Sequence, residues 1–402
     1  MMRFSMKCTL LLVLALTIGC SVTNRATAIR AYTQLETLEA NRTYVIKEDI
    51  DLQGRFVKLP SNDTLLFKGG TIKNGRIEGD NTVIQGKKKL LFKNVELSGT
   101  WNNDTVYSEW LEFREGPSFD NRDAFVNLMA LCKGQNYTTV SLKDGSYWTS
   151  VKKEGSAISI PSNTHFIFSG TIHELPNNYE RASLIRLYHV ENVTIDGGTY
   201  IGDVENHLGK SGEWSHGISV WGSSDVTIKG VECSYFWGDG IDLIEAFDNQ
   251  EKPAYNCQRI IVDGCKCLYN RRQGLSVESG FDCVIRNSEF SCTGKLKYTP
   301  PAAGIDIEAW ATNNEKIRNI RIENCIMQDN AGYSLQSYSN AVLGENYKQY
   351  SNDVVVENCE MDNALIHRTN TIRFVRCSFK SKPIEKKSNR VSFVDCLIKE
   401  AL

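Results

Sequence analysis

A short phrase beginning at glycine returns five times in the second half of this chain, and its spacing limits the fold more than any other feature. The copies are Gly217-Ile-Ser-Val, Gly240-Ile-Asp-Leu, Gly274-Leu-Ser-Val-Glu278, Gly304-Ile-Asp-Ile-Glu308 and Gly332-Tyr-Ser-Leu-Gln336, at intervals of 23, 34, 30 and 28 residues. Inside each copy, apolar residues alternate with Ser, Asp, Glu or Gln, the period of a strand with one face buried. A second phrase runs in step with it: Val193-Thr-Ile-Asp-Gly197, Val226-Thr-Ile-Lys-Gly230, Ile260-Ile-Val-Asp-Gly264, Cys283-Val-Ile-Arg-Asn287, Ile320-Arg-Ile-Glu-Asn324 and Val354-Val-Val-Glu-Asn358. Each ends at Gly or Asn, which tolerate a left-handed turn. The positions just after that turn align Val231, Cys265, Ser288, Cys325, Cys359, Cys377 and Cys396, mostly small apolar side chains suited to an inward stack.

Short strands, a fixed turn once per unit and no helical period predict a parallel β-helix, a solenoid of stacked coils. An antiparallel sandwich would need hairpin turns between neighbouring strands. A leucine-rich repeat would need its Leu-x-x-Leu-x-Leu frame, which is absent. Strand-like runs also fill the amino-terminal part, at Leu65–Gly79, Thr82–Gly86 and Leu91–Leu97. Asp120-Asn-Arg-Asp-Ala-Phe-Val-Asn-Leu-Met-Ala-Leu-Cys132 then carries apolar residues at helical spacing after an acidic start. A solenoid has open ends, and this helix is placed to cap one. The reading divides the chain into an export signal over 1–19, an amino-terminal β-rich cap or leader over 30–113 and a β-helix domain over 120–402.

Asp120-Asn-Arg-Asp-Ala-Phe followed by Val140-Ser-Leu-Lys-Asp-Gly-Ser-Tyr147 resembles the entry segment of pectate-lyase-like, right-handed β-helix proteins. Gly99-Thr-Trp-Asn-Asn-Asp-Thr-Val-Tyr-Ser-Glu-Trp110 resembles a leader of Bacteroides-type members. The resemblance implies an all-β, right-handed parallel β-helix with a short capping helix near its amino-terminal side. It implies no single reaction, because lyases, hydrolases, epimerases and phage tailspikes share that fold. Gly238-Asp-Gly-Ile-Asp242 and His216-Gly-Ile-Ser219 resemble two polygalacturonase motifs, but in inverted order, without that family's Asp-Asp pair or a following Arg-x-Lys. That mechanism is therefore not transferred.

Alignment on the glycines expects Ser219, Asp242, Ser276, Asp306 and Ser334 in one outward column. Trp221, Ile244, Glu278, Glu308 and Gln336 form a second, two residues along. Asp242, Glu278, Asp306 and Glu308 would then crowd within three coils. Like charges so placed raise one another's pKa, a use of carboxylates that fits a general acid and base, or a Ca²⁺ site. These four are the candidate catalytic residues. His216, Asp239, Arg271 and Arg272 flank the glycines as candidate substrate contacts, and Trp221, Trp237 and Trp310 are candidate sugar-stacking rings. Taken singly, each of these residues also has a bland reading as a solvated or packing side chain.

The expected function is an exported carbohydrate-active enzyme cleaving a polysaccharide or oligosaccharide, with glycoside hydrolysis favoured. The alternatives are a lyase or epimerase on uronic-acid glycans, with arginine or His216 abstracting a proton, and a non-catalytic glycan-binding or adhesion protein. No cofactor is required by the sequence, and Ca²⁺ enters only on the lyase reading. With 46 basic and 48 acidic residues and no basic stripe, the chain has no nucleic-acid signature. Met1 to Cys20 reads as an export signal: a basic start, then an apolar run too short for a permanent membrane span. Leu16-Thr-Ile-Gly-Cys20 resembles a lipobox that would lipidate Cys20, the one expected membrane link; Ala26-Thr-Ala28 offers the alternative cleavage after residue 28. Of the thirteen cysteines, Cys8 falls in the signal and Cys20 would be lipidated or lost, and the remaining eleven are read as a stacked thiol core rather than a disulfide framework.

Overall fold

The computed structural model describes residues 26–399 except 36, 135, 247–254, 310–316 and 340–350. The signal stretch, Cys20 and Trp310 lie outside the described residues. All strands of the named ladders pair in parallel, and they build two stacks of coils. In the first, Thr27–Ile29, Thr43–Ile46 and Thr64–Phe67 lead in register to the long strand Ile72–Gln85. That strand also pairs with Phe56–Lys58 on one side and with Phe92–Trp101 on the other. The amino-terminal segment is therefore itself made of short parallel coils, one every 21 residues from Val45 to Leu66 and 19 from Leu66 to Gln85.

From Thr105 onward the chain winds through three parallel sheets of 11, 10 and 9 strands. A coil takes as few as 18 residues (Val356 to Phe374) and as many as 37 (Ile285 to Ile322). The extra length lies in loops, because the ladders keep register throughout. The turn after six successive strands of the 11-stranded sheet is left-handed, at Gly197, Gly230, Gly264, Asn287, Asn324 and Asn358, with φ between +52° and +75°. Asparagine does more there than tolerate the turn. Asn358 Nδ2 donates to Asn324 Oδ1 at 3.3 Å, and Asn324 Nδ2 to Asn287 Oδ1 at 3.2 Å. The side-chain amides thus extend the ladder across the corner.

Inside, Val193, Val226, Ile260, Cys283, Ile320, Val354 and Ile372 form a buried column, and Cys265, Cys325, Cys359 and Cys377 stack beside it. The eleven described cysteines are all free thiols, nine of them buried. Helix Arg122–Ala130 packs between strand Phe92–Trp101 and strand Ser156–Ser159. Its Asn127 side chain mimics a neighbouring strand, accepting from the Leu97 amide at 2.8 Å and donating to the Val95 carbonyl at 2.8 Å. That satisfies a strand edge that would otherwise stay open.

The repeated glycines have a steric cause. A β-carbon on Gly217 would lie 2.6 Å from the carbonyl oxygen of Gly240, and one on Gly240 2.8 Å from that of Gly274. Gly274 and Gly304 repeat this toward the oxygens of Gly304 and Ser334, at 2.5 and 2.6 Å. The coils approach so closely there that only glycine fits. The fifth copy does not join the ladder. Ile305 pairs with Leu335, so Ser334 stands opposite Gly304, and Gly332 lies two residues earlier at a turn against Pro301 and Ala302. The phrase at Gly332 preserves the pattern but not the register.

Gly274→Ala should cost about 1–3 kcal/mol by overpacking backbone against backbone. Gly230→Ala, in a left-handed turn with no atom within 4 Å of the added carbon, should cost about 1 kcal/mol, the low end for a left-handed residue that meets nothing. Urea unfolding of the two variants checks the order; equal losses would mean that the close approach is not what selects glycine.

Candidate functional site

The site lies on the 9-stranded sheet, on strands Trp214–Trp221, Ile241–Ile244, Gln273–Val277, Ala303–Ala309 and Leu335–Ser339. Register aligns Arg186, Ser219, Asp242, Ser276, Asp306 and Gln336 in one column. Gln336, not Ser334, follows Asp306, because of the two-residue offset at Gly332. The second column pairs Tyr188, Trp221 and Ile244, and pairs Glu308 with Tyr338; Glu278 follows directly on the end of strand Gln273–Val277, on the coil between them. Tyr338 therefore takes the place expected for Gln336.

The chain bends at each ladder glycine, and the bend assembles the site. In a regular strand, residues three apart face opposite ways. Here the residue before the glycine and the residue two after it reach the same wall. Ser276 Oγ donates to Asp239 Oδ2 at 2.7 Å, and Gln273 Nε2 donates to Asp306 Oδ2 at 2.7 Å. His216 Nε2 stands 3.8 Å from Asp242 Oδ2. His216, Asp239 and Gln273 thus join a column that alternation alone would deny them.

One guanidinium organises the acids. Arg272 Nη1 donates to Asp239 Oδ2 at 2.7 Å and lies 3.8 Å from Glu278 Oε1; its Nη2 donates to Glu308 Oε2 at 3.4 Å. Its Nε is 3.7 Å from Glu213 Oε2. Burial opposes the charge of Arg272, but Asp239, Glu278, Glu308 and Asp306 outweigh it and hold its pKa above the ordinary arginine range. The carboxyls move the other way. Burial, reinforced by Glu278 and Asp239, pushes Asp242 well up, and burial with Glu308 does the same to Asp306. Burial also raises Asp239, against the pull of Arg272. Glu278 is pushed up to about 8, by burial first, then with Glu308 opposing the stabilising Arg272.

His216 is neutral. Its Nδ1 accepts the Asp239 amide N–H at 2.9 Å, so the ring proton sits on Nε2, toward Asp242. Burial, then Arg272, Arg186 and Arg181, hold its pKa well below the usual histidine range.

The bland reading of these residues as a solvated face does not hold. Asp239, Asp242, Asp306, His216 and Arg272 are all buried. The segment ahead of strand Trp214–Trp221 folds across this side: Arg271 Nη1 donates to the Gly212 carbonyl at 2.7 Å and Trp237 Nε1 to the Ser211 carbonyl at 3.2 Å. Of the carboxylates on the wall itself, Glu278 and Glu308 reach furthest out, with side chains 15% and 10% exposed, against 0% for Asp239; Glu213, in the segment that folds across, is more exposed still. Arg271 and Trp237 do not stand on the wall as substrate contacts. The Trp237 ring is covered by His207 at 4.0 Å and by the Arg271 guanidinium at 3.9 Å, which leaves neither face for a sugar. Trp221 stays half-buried at the wall's edge, beside the exposed Tyr188.

Alignment missed Arg186, Gln273, Glu213 and Tyr338. Arg186 was legible only from pairing, since Leu184 stands where the next coil has Gly217 and the glycine frame stops there. Among the described residues, no group of three or more His, Cys, Asp or Glu side chains is placed to hold a metal ion. A cleft of about 950 Å³ opens elsewhere, along helix Arg122–Ala130 and strand Phe92–Trp101; its Asn121 and Asn127 amides are spent on backbone groups.

A family model described as a right-handed beta helix region matches residues 147–342 and 216–400. The uncharacterized protein YclG of Bacillus subtilis (strain 168) is 26% identical over 246 residues, 56% of this chain and 42% of that protein. The SPbeta prophage-derived uncharacterized protein YorA of the same organism is 28% identical over 233 residues, 50% of this chain and 38% of that one. The chain thus spans about two fifths of the length of these relatives. Among solved structures, a tailspike protein, gp49 from Acinetobacter baumannii bacteriophage Fri1, described as a capsular polysaccharide depolymerase, aligns with a TM-score of 0.50 at 12% identity. The alignment covers 74% of this chain and 64% of that one, a likeness of fold.

Arg272→Gln should destabilise the protein by about 3–5 kcal/mol at neutral pH, because Asp239 and Glu308 lose the buried counter-ion they are hydrogen-bonded to. Without it their pKa values rise further, so the native state binds more protons than the unfolded chain, and stability recovers as the pH falls toward 5. Urea unfolding at pH 5 and 7.5 reads this; a loss that does not depend on pH would show that Arg272 acts by packing alone.

Proposed function

We propose, for a chain that belongs to the right-handed β-helix family, that it is a carbohydrate-active enzyme hydrolysing a glycan laid along the second column of the 9-stranded sheet. The observation that carries the reading is the pair Glu278 and Glu308. They are one coil apart, the most exposed carboxylates of the buried cluster, and tied to one arginine with unequal strength. Glu278, held protonated up to about 8, is suited to protonate the leaving oxygen. Glu308 accepts from Arg272 and supplies the anion, as nucleophile or as base toward water. Strand spacing sets adjacent coils about 4.8 Å apart, nearer the short carboxyl separation of a retaining pair than the longer one of an inverting pair. Burial, Glu308, Asp239 and Glu245 keep Glu278 from ionising, and Asp242 and Asp306, buried and pushed toward neutrality, act as positioning residues.

Aromatic rings flank this pair along the same column. Trp221 lies two coils before Glu278 and Tyr338 one coil after Glu308, where rings can bracket successive sugars. The lyase or epimerase alternative is less well supported. Arg272 is locked in its charged form by four carboxylates, and the His216 lone pair is already taken by the Asp239 amide. Neither is set to abstract a proton. We also propose that the protein acts after export, on the strength of the basic and apolar start of the chain.

Glu278→Gln and Glu308→Gln should each lower kcat about 10²–10⁴-fold while glycan binding persists. Wild-type hydrolysis should raise reducing ends without an ultraviolet-absorbing unsaturated product, and kcat should fall as the pH rises through about 8, where Glu278 loses its proton. An absorbing product would turn the reading to elimination. Binding to acidic and neutral glycans with no product from any would turn it to an adhesin.

A further inference from the structure

A positive, aromatic patch lies two coils ahead of the acids. Arg186 pairs in register with Ser219, which pairs with Asp242. Its guanidinium carbon stands 5.4 Å from the Trp221 ring centre. Its Nη1 and Nη2 donate to the Glu154 and Gly155 carbonyls at 3.1 and 3.0 Å, which fixes the plane of the group without neutralising it. Arg186 Nε and the Trp221 indole N–H are both buried donors with no acceptor among the described residues. On the same strand, Arg181 lies over the exposed Trp214 ring at 4.9 Å. The exposed Glu154 lies 3.8 Å from Arg181 Nε, and Glu154 and Asp242 both favour the charge of Arg186 without any ion pair to it among the described residues. The wall is therefore polarised along the solenoid axis: cations and rings first, then acids.

A neutral glycan would gain nothing from that polarity. An anionic one would be repelled at the acids unless its charges were met elsewhere and the acids were themselves offset, and both conditions hold here: Arg186 stands two coils ahead of Asp242, and Arg272 reaches Asp239, Glu278 and Glu308. We infer that the glycan is acidic, and that an oxyanion on one sugar meets Arg186 while that sugar's ring lies over Trp221, two coils before Glu278. The inference rests on the glycan-cleaving reading above and names its substrate class. Two coils span about 10 Å, roughly two pyranose units, so the charged sugar sits about two residues from the bond that is cut. A planar guanidinium fork suits either a uronate carboxylate or a sulfate ester.

The test uses the full chain with polygalacturonate, alginate and a sulfated galactan, each beside its carboxyl-reduced or desulfated counterpart. At least one acidic polymer should be cleaved, and removal of its charge should lower kcat/KM about 10–100-fold, the worth of a charge-assisted hydrogen bond. Arg186→Gln should impose a loss of that size on the acidic polymer, carried by KM, and a several-fold smaller one on the uncharged form. Arg186→Lys, which keeps the charge, should recover part of it, separating the role from a structural one toward the Glu154 and Gly155 carbonyls. Which polymer responds distinguishes carboxylate from sulfate. Equal turnover of charged and uncharged forms, or an Arg186→Gln loss equal on both, would overturn the inference and leave the hydrolase reading standing. No cleavage and no binding of any polymer would overturn the two together.

Discussion

The close approach of successive coils at Gly217, Gly240, Gly274 and Gly304 is the constraint on which the rest of the molecule depends. Each of these residues presses its α-carbon against the next coil's carbonyl oxygen, leaving no room for a side chain. Parallel pairing alone would stack the coils at the ordinary strand spacing. The glycine ladder adds a break in the alternation at one fixed point of four successive coils. On the inner side it lets Ile218, Ile241, Leu275 and Ile305 stack without a gap. On the outer side it turns His216, Asp239 and Gln273 toward the column of Ser219, Asp242, Ser276 and Asp306. One steric feature thus serves both the core and the site.

The bend creates an electrostatic problem that a single side chain moderates. Asp239, Asp242, Glu278, Asp306 and Glu308 share a wall with little water, and two of them reach it only through the bend or through burial deeper than alternation implies. Five separate anions there would cost far more than the fold could absorb. Arg272 meets three of them, and burial leaves the others favouring the neutral carboxyl. The outcome is not uniform neutralisation. Glu308 stays bonded to the cation while Glu278, at the edge of its reach, keeps its proton. An acid and an anion on adjacent coils follow from the placement of one guanidinium.

Much of this was legible in the sequence. The two phrases gave the parallel coils, the left-handed corners at Gly197 to Asn358, the inward thiols and the adjacency of Glu278 and Glu308, because period and spacing record exactly the contacts a solenoid repeats. The misplacement of Gln336 and Ser334 shows the limit: Gly332 copies the phrase but answers a turn against Pro301, and only backbone pairing separates the two causes. Burial of the wall was not legible either, since it comes from Ser211 to Glu213 folding back onto Arg271, Arg272 and Trp237, contacts with no period. Trp237 misled for the same reason. A tryptophan beside the site reads as a sugar platform until His207, thirty residues away, is seen to cover it.

The division between ladder and wall also explains why such a fold carries no single chemistry. Inward residues answer to their neighbours one coil above and below, so Ile218, Ile241, Leu275 and Ile305 are held to nearly one size. Outward residues answer only to what shares the wall, and the sequence there runs Arg186, Ser219, Asp242, Ser276, Asp306, Gln336 with no repetition of type. A substitution on the wall leaves the coil below intact, and its effect passes sideways through charge. The reaction is therefore written by the order of cations, rings and acids along the axis, at one position per coil. A strand rise close to the length of a sugar unit makes that axis a natural track for a glycan, and the guanidiniums of Arg186 and Arg272 mark the two points on it where charge is fixed.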